Sequence, residues 1–164
     1  MDFYASLADA TSILAVADVV RHLARESCRA DGATFVLREE DYCFYVDEDA
    51  IAPLWKGQRF PIETCISGWA MLHAEPAVVP DITIDERIPQ AAYRPTFVKS
   101  LLMMPVGSAE PAAAIGAYWA SRHQPTSAEI ANLTALANRT DEALQRVGLA
   151  DAPWAPNFRL GQPS

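Results

Sequence analysis

The side chains best suited to binding chemistry lie near the middle of the chain, where aromatic rings alternate with charged groups. The rings would give a pocket apolar walls, and the charged groups would fix the orientation of an organic ligand. Tyr93 and Arg94 are the first candidates, because they stand between two prolines in a turn-rich segment and a guanidinium suits a carboxylate or phosphate. The full candidate set is Trp69, Asp81, Tyr93, Arg94, Phe97, Lys99 and Tyr118.

Each candidate also has a purely structural interpretation. Arg94 is of a type that forms surface salt bridges, and Asp81 follows a proline at a position where aspartate commonly caps a turn. Large aromatic residues such as Trp119, on a strand next to Tyr118, more often belong to the core than to a binding site. The sequence leaves both interpretations open.

The three cysteines, Cys28, Cys43 and Cys65, predict reduced and mostly buried thiols. They are too few and too scattered for a disulfide framework, and none forms a CxxC pair or stands at metal-ligand spacing from a histidine. The serines lack a histidine and carboxylate arrangement that would indicate a nucleophile. The sequence therefore predicts no catalytic residue, no metal and no cofactor, while leaving room for an unidentified small-molecule ligand.

Composition narrows the class of protein. A chain of 164 residues fits one domain, and its net charge of -8 argues against a nucleic-acid partner. No apolar run approaches the roughly 18 residues that span a bilayer, and the N-terminus lacks the basic segment of a secretory signal. These features predict a cytoplasmic domain over residues 1–148 without a membrane partner. Residues 149–164 form an extended or disordered tail in this prediction, although Trp154 and Phe158 could dock back.

The first half of the chain predicts one long helix followed by a hairpin. Apolar residues recur at three- and four-residue steps over residues 2–29, and Gly32 is expected to end that helix. Strands are predicted over residues 33–37 and 42–46, joined by a charged turn. Residues 47–64 contain two prolines and a glycine and predict a loop.

The second half predicts the elements that carry the candidate site. A short helix over residues 66–73 and a brief strand over 77–79 precede a turn-rich stretch at 81–97. Strands are then expected over residues 98–106 and 112–120. In the first of these strands the pattern places Val98, Leu102, Met104 and Val106 on one face and Leu101 and Met103 on the other.

The last helix has the clearest start and stop signals. Thr126 and Glu129 have the spacing of a capping box, the apolar stripe runs to residue 147, and Gly148 ends the helix. Together the elements predict an α+β fold with a single antiparallel sheet. The terminal helices are expected on one face of the sheet, and residues 66–97, the cup segment, on the other.

This order of elements resembles the GAF domain family over most of the chain. The similar pieces are Ile66-Ser67-Gly68-Trp69-Ala70, Pro76-Ala77-Val78-Val79-Pro80-Asp81-Ile82, Asp85-Glu86-Arg87-Ile88, Lys99-Ser100-Leu101 and Ala114-Ile115-Gly116-Ala117. The amino-acid sequence of these pieces is most similar to that of GAF sensor domains found ahead of bacterial histidine kinases. The resemblance implies a signalling module that binds a small molecule or a protein partner in the cup. It also implies a homodimer formed through residues 2–29 and 126–147, with a separate histidine kinase or another protein as effector.

Two more specific GAF activities lack their residues. Bilin-binding members attach the chromophore to a cysteine, usually followed by histidine, in the helix after the cap, but this chain has no Cys-His pair and residues 86–97 contain no cysteine. Members that bind cyclic nucleotides carry an Asn-Lys-Phe-Asp-Glu set that has no equivalent in this sequence. Bilin binding therefore remains only a second alternative.

The first alternative is an enzyme similar to free methionine-R-sulfoxide reductase, a small free-standing GAF protein that uses cysteine chemistry. Aligned on that family, this chain has Ser67 and Arg94 where cysteines belong. The three cysteines that it does have lie elsewhere. The sequence thus favours a non-enzymatic sensor over a reductase.

Overall fold

The fold is a six-stranded antiparallel sheet with helices on both faces, seen in a computed structural model that describes residues 5–148. The strands are β1 (Gly32–Glu39), β2 (Tyr42–Ala50), β3 (Arg59–Pro61), β4 (Ala77–Val79), β5 (Ser100–Val106) and β6 (Ala113–Trp119). The helices are α1 (Ala5–Ala8), α2 (Ile13–Ser27), α3 (Ile66–His73), α4 (Gln90–Tyr93) and α5 (Ser127–Val147). Two short 3₁₀ helices lie at Ile62–Thr64 and Ile82–Ile84.

The sheet has the order β3-β2-β1-β6-β5-β4, and every pair of neighbours is antiparallel. The hairpin of β1 and β2 turns at Glu40, whose φ is 54°, and has an irregular register between Phe35 and Val36. The later strands β5 and β6 form a second hairpin that pairs with β1 through β6. The predicted α+β fold with one antiparallel sheet is confirmed.

Helices α2 and α5 pack against each other and cover one face of the sheet. Their buried side chains meet those of the sheet in what we call the helix-side core, which includes Val16, Val20, Leu133, Leu144, Phe35, Leu37, Phe44, Leu102 and Ile115. The capping box at the start of α5 forms as predicted: Glu129 N donates to Thr126 Oγ1 over 3.0 Å, and Thr126 N donates to Glu129 Oε1 over 2.8 Å. Gly148 ends the helix, as predicted.

The opposite face of the sheet lies beneath α3, α4 and the connections around them. We call the buried cluster there the cup-side core, and its largest side chains are Tyr45, Trp55, Ile66, Met71, Tyr93, Leu101, Met103 and Tyr118. The predicted bounds of α3 and β4 are confirmed. Val98 was predicted on the helix side, but it packs in the cup-side core because it precedes the first residue of β5, where strand alternation does not yet apply.

The prediction of one helix over residues 2–29 is wrong in two places. Ser12 accepts a hydrogen bond from Ala15 N over 3.1 Å and caps a new helix, so that α1 and α2 are separate. At the other end the chain leaves α2 through Arg29, whose φ is 48°. Gly32 belongs to β1 instead, where a Cβ would lie 2.9 Å from both the Ala50 Cβ and the Phe97 ring.

The predicted loop over residues 47–64 also proves to be largely ordered as strand and 3₁₀ helix. Strand β2 continues to Ala50 although it is acidic there, because basic residues of α2 neutralise it. The Arg21 guanidinium lies 3.1 Å from Asp47, and Arg25 lies 2.7 Å from Asp49. At the sheet edge, Arg59 of β3 pairs with the buried Glu39 over 3.0 Å.

The predicted tail, with Trp154 and Phe158, lies outside the described residues. Among residues 5–148, no helix is both long enough and apolar enough to cross a membrane.

Candidate functional site

The centre of the cup-side core is occupied by Trp55, which the loop after β2 delivers there. The Glu48 carboxylate holds that loop by accepting hydrogen bonds from the backbone amides of Leu54, Trp55 and Lys56, over 2.8, 2.9 and 2.9 Å. The Trp55 indole then donates to the carbonyl oxygen of Ala92 over 3.1 Å, which ties the loop to the end of the cup segment. One buried tryptophan thereby joins two connections that are far apart in sequence.

Three tyrosines surround the Trp55 ring. Its centroid lies 4.7 Å from that of Tyr93 and 5.6 Å from those of Tyr45 and Tyr118, and the Tyr45 ring meets Phe60 edge-on at 5.5 Å. Between them remains a narrow opening, the aromatic crevice, lined by Tyr45, Trp55, Phe60, Cys65, Pro89, Ala92 and Tyr93. It has room for about one water molecule. The protein's own side chains therefore fill most of this region.

The three tyrosine hydroxyls differ in their hydrogen bonding. Tyr45 is 3.0 Å from the Ser67 hydroxyl, and Tyr118 is 2.9 Å from that of Thr34. The Tyr93 hydroxyl is buried and has no hydrogen-bond partner within residues 5–148. Burial raises the pKa of all three phenols, so each is neutral around pH 7.

The structure brings together only some of the seven predicted site residues. Tyr93 lines the aromatic crevice and Tyr118 is buried next to it against Trp55. Phe97 is half-buried against the same core. Trp69 lies at the outer side of α3, stacked on His73 at 4.4 Å and beneath the Arg87 guanidinium at 4.4 Å.

The three charged candidates do not line the crevice. Arg94 and Lys99 are exposed. Asp81 caps the second 3₁₀ helix by accepting from Thr83 N over 2.9 Å and lies 3.2 Å from Arg122. These contacts match the structural interpretation of Asp81 as a turn cap. Ligand contact by any of the seven residues stays a prediction.

Several residues of the site were missed by sequence reasoning, above all Trp55. It lies in the stretch predicted to be an open loop, and nothing local marks it as buried. The structure also brings two thiols together in the cup-side core: that of Cys43 on β2, and that of Cys65, which directly precedes α3 and donates to the carbonyl oxygen of Pro61 in β3 over 3.7 Å. The sequence contained one signal for this, because Cys43 is two residues from Tyr45 and therefore lies on the same face of β2. In the structure Cys43 also pairs in register with Phe60 of β3.

All three cysteines are free and buried, as predicted. The contact with Cys43 has the largest effect on Cys65 and, against desolvation, lowers the pKa of the Cys65 thiol, while the same contact and burial raise that of Cys43. Cys28 lies apart in the helix-side core, where burial raises its pKa to about 11. No group of three or more His, Cys, Asp or Glu side chains in the described part of the chain is placed to hold a metal ion.

Comparison with known proteins gives the family and the fold. Solved structures of similar fold include the GAF domain of a phosphoenolpyruvate-protein phosphotransferase from Acinetobacter, with 12% identity, a TM-score of 0.76, and 88% of this chain and 89% of that chain covered. Another is free methionine-R-sulfoxide reductase from Neisseria meningitidis in complex with its substrate, with 17% identity, a TM-score of 0.76, and 88% and 85% covered. A third is a methyl-accepting chemotaxis protein, residues 122 to 287, with 13% identity, a TM-score of 0.75, and 92% and 99% covered.

These identities are low enough that the structures show the shared fold alone. No curated protein sequence matches the chain. The family model described as GAF domain matches residues 12–144, which is most of the sequence. The chain belongs to the GAF domain family.

Proposed function

We propose that this protein is a cytoplasmic, non-enzymatic sensor whose cup-side core binds a small organic molecule. The observation that carries the proposal is the Tyr93 hydroxyl, which is buried without a partner at the aromatic crevice. Leaving a buried donor unsatisfied costs about 1–3 kcal/mol, and a bound acceptor would remove that cost. Signalling-type GAF neighbours, including the chemotaxis protein, support the sensor class.

The ligand enters by replacing Trp55. Its loop is held mainly through the backbone amides that bind Glu48, and the residues on either side, Ile51 to Pro53 and Lys56 to Gln58, are exposed. Breaking the single indole bond to Ala92 lets the ring swing out without unfolding the sheet. The space that it leaves is flat and apolar, bordered by Tyr45, Tyr93 and Tyr118. It therefore fits a planar aromatic molecule that offers a hydrogen-bond acceptor to Tyr93.

The signal leaves through the helices on the other face. We propose a homodimer through α2 and α5, as the family resemblance implies, with a separate histidine kinase or another protein as effector. The outward face of α5 supports this part of the proposal, since Ala128, Ala131 and Ala135 are small and exposed and allow close approach of a second helix.

Native mass spectrometry of protein from its own host tests for the ligand, and tryptophan fluorescence follows binding of the recovered molecule. We expect a bound small molecule whose addition to ligand-free protein shifts the tryptophan emission, because Trp55 changes its surroundings. Its affinity should fall about five- to thirtyfold in Tyr93→Phe, the loss of one hydrogen bond. Tyr42→Phe, at an exposed tyrosine of β2, is the matched control and should bind like the parent. Equal binding by Tyr93→Phe and the parent would contradict the proposal.

The contact between Cys43 and Cys65 keeps the reductase as a second candidate, since two thiols can reduce a sulfoxide to a thioether and water while forming a disulfide. The Neisseria reductase has the same fold. The residues aligned with that family's cysteines, however, are the exposed Arg94 and Ser67, which binds Tyr45. We expect no turnover in an NADPH-coupled assay with free methionine-R-sulfoxide. Turnover that persists in Cys28→Ser and disappears in Cys43→Ser and Cys65→Ser would establish the enzyme instead.

A further inference from the structure

Cys43 and Cys65 form a cluster with two hydroxyl side chains at the edge of the aromatic crevice. Cys43 is fully buried on β2 opposite Phe60 of β3, and the Cys65 thiol donates to the carbonyl oxygen of the next β3 residue, Pro61, over 3.7 Å. The Ser67 hydroxyl lies 3.4 Å from the same sulfur and 3.0 Å from the Tyr45 hydroxyl. The Cys65 sulfur is thus placed both to accept from the Ser67 hydroxyl and to donate to Pro61, although it lies in an otherwise apolar core.

The two thiols differ in their access to solvent. Cys65 lines the aromatic crevice and keeps 7% of its surface exposed, whereas Cys43 is 0% exposed behind it. A reagent that comes through the crevice reaches Cys65 first. Because the crevice admits about one water molecule, that reagent must be very small.

We propose that Cys65 and Cys43 are a peroxide-reactive thiol pair, with Cys65 as the attacking thiol and Cys43 as the resolving thiol. This site goes beyond ligand binding and does not depend on it. The Ser67 hydroxyl, placed to donate to the Cys65 sulfur, favours its thiolate, which is the reactive form, and the lowered pKa of Cys65 agrees with this assignment. Hydrogen peroxide is small enough for the crevice, while larger hydroperoxides are not.

The chemistry balances with peroxide as the only co-reactant. The Cys65 thiolate attacks one peroxide oxygen, the O–O bond breaks, and Cys65 becomes a sulfenic acid. The hydroxide that leaves takes up the proton that Cys65 lost on ionising and becomes the first water. The Cys43 sulfur then attacks the Cys65 sulfur and forms the S–S bond. The sulfenic oxygen leaves as a second water with the Cys43 proton. Two thiols and one peroxide therefore give one disulfide and two waters.

Peptide mapping of the whole protein tests the proposal, because trypsin places the three cysteines in separate peptides, residues 26–29, 39–56 and 60–87. After treatment with hydrogen peroxide, denaturing alkylation and digestion without reductant, we expect peptide 39–56 to be linked to 60–87 within one chain. The intact protein should lose two hydrogens, and dithiothreitol should restore them. tert-Butyl hydroperoxide should react at least about tenfold more slowly, because access limits the reaction.

The variants separate the roles of the two thiols. Cys28→Ser is the matched control and should form the same link. In Cys43→Ser no thiol resolves the intermediate, so Cys65 should gain oxygen and proceed to sulfinic acid. In Cys65→Ser, Cys43 should remain an unmodified thiol. A link that involves Cys28, a link between chains, oxidation of Cys43 in Cys65→Ser, or an unlinked parent protein would each overturn the proposal. The mapping of the parent does not depend on how well the variants fold.

Discussion

Both faces of the sheet carry a buried core, but the two cores differ in chemistry. The helix-side core is built mainly from alanine, valine, leucine and isoleucine, although it also contains Cys28, Phe35, Phe44, Met104 and Trp119. The buried Thr140 hydroxyl on that side bonds to Leu136 O of its own helix over 2.7 Å. The cup-side core contains three tyrosines, a tryptophan and two thiols. Its hydroxyls bond to residues far away in sequence, and one of them, on Tyr93, has no partner in the described structure.

The difference indicates that the faces serve separate purposes. A largely aliphatic core is sensitive to changes in side-chain volume, but it contains few side-chain groups that need a hydrogen-bond partner. It therefore stabilises the fold without the free-energy cost of burying polar groups. Buried hydroxyls and thiols need partners, and a fold gains little from placing them there. Under the proposed function, the helix-side core is the scaffold and the cup-side core holds the groups that meet the ligand. The following changes test that division.

The largest loss of stability is expected on the helix side. Phe35 is fully buried in β1 beneath the helices, and Phe35→Ala should lower the free energy of unfolding by about 3–5 kcal/mol through lost burial and the cavity left behind. Phe60, half-buried at the aromatic crevice, is the matched comparison on the other face. Urea denaturation of Phe60→Ala should show less than about half that loss, because the site is partly open to solvent. Equal losses would remove the distinction between scaffold and site.

A smaller loss is expected where the cup-side core does satisfy a hydroxyl. The hydroxyls of Tyr118 and Thr34 are 2.9 Å apart, and both residues are fully buried. Tyr118→Phe removes this hydrogen bond and leaves the Thr34 hydroxyl without its tyrosine partner. The variant should be about 1–3 kcal/mol less stable, since a buried polar group is left without a partner. Tyr42→Phe removes an exposed hydroxyl and should change the stability by less than about 0.5 kcal/mol. Thermal and urea unfolding would give both values.

The pH dependence of the scaffold should follow Glu129. Burial acts to raise its pKa, but hydrogen bonds from Thr126 and His123 outweigh this and leave the pKa lowered. A carboxylate with a lowered folded pKa contributes stability above its unfolded pKa, and this contribution disappears as the pH falls through the folded value. Glu129→Gln keeps the cap but removes the charge, so we expect a loss of about 0.3–1 kcal/mol at pH 7 that vanishes toward pH 3.

Glu142→Gln is the control for that prediction, because Glu142 is exposed on the same helix, away from its first turn. Its effect on stability should be small at both pH values. A difference between the Glu129 variant and the parent that persists unchanged at acid pH would assign the effect to geometry, not charge.

The sequence predicted the scaffold better than the site, for a physical reason. Periodicity and caps are local, so Thr126, Glu129 and Gly148 were enough to bound α5, and the turn signals around α3 were equally clear. Trp55 is buried because Glu48 binds its loop and Ala92 accepts from its indole, which are contacts between distant segments. The proximity of Cys43 and Cys65 likewise depends on the pairing of β2 with β3. The sequence did not predict this pairing, because the acidic end of β2 and all of β3 were predicted as one loop.

The smallest change in stability is expected at Tyr93, and it tests whether a cup-side hydroxyl serves the fold. Its hydroxyl is buried without a partner in residues 5–148, so Tyr93→Phe removes an unsatisfied donor while keeping the ring against Trp55. Unlike Tyr118→Phe, this variant should be as stable as the parent or slightly more stable in urea denaturation. A loss as large as that of Tyr118→Phe would mean that the Tyr93 hydroxyl serves the fold. A gain in stability combined with weaker binding of the native ligand would mean that the protein keeps this hydroxyl at a cost to its fold, because only the bound molecule gives it a partner.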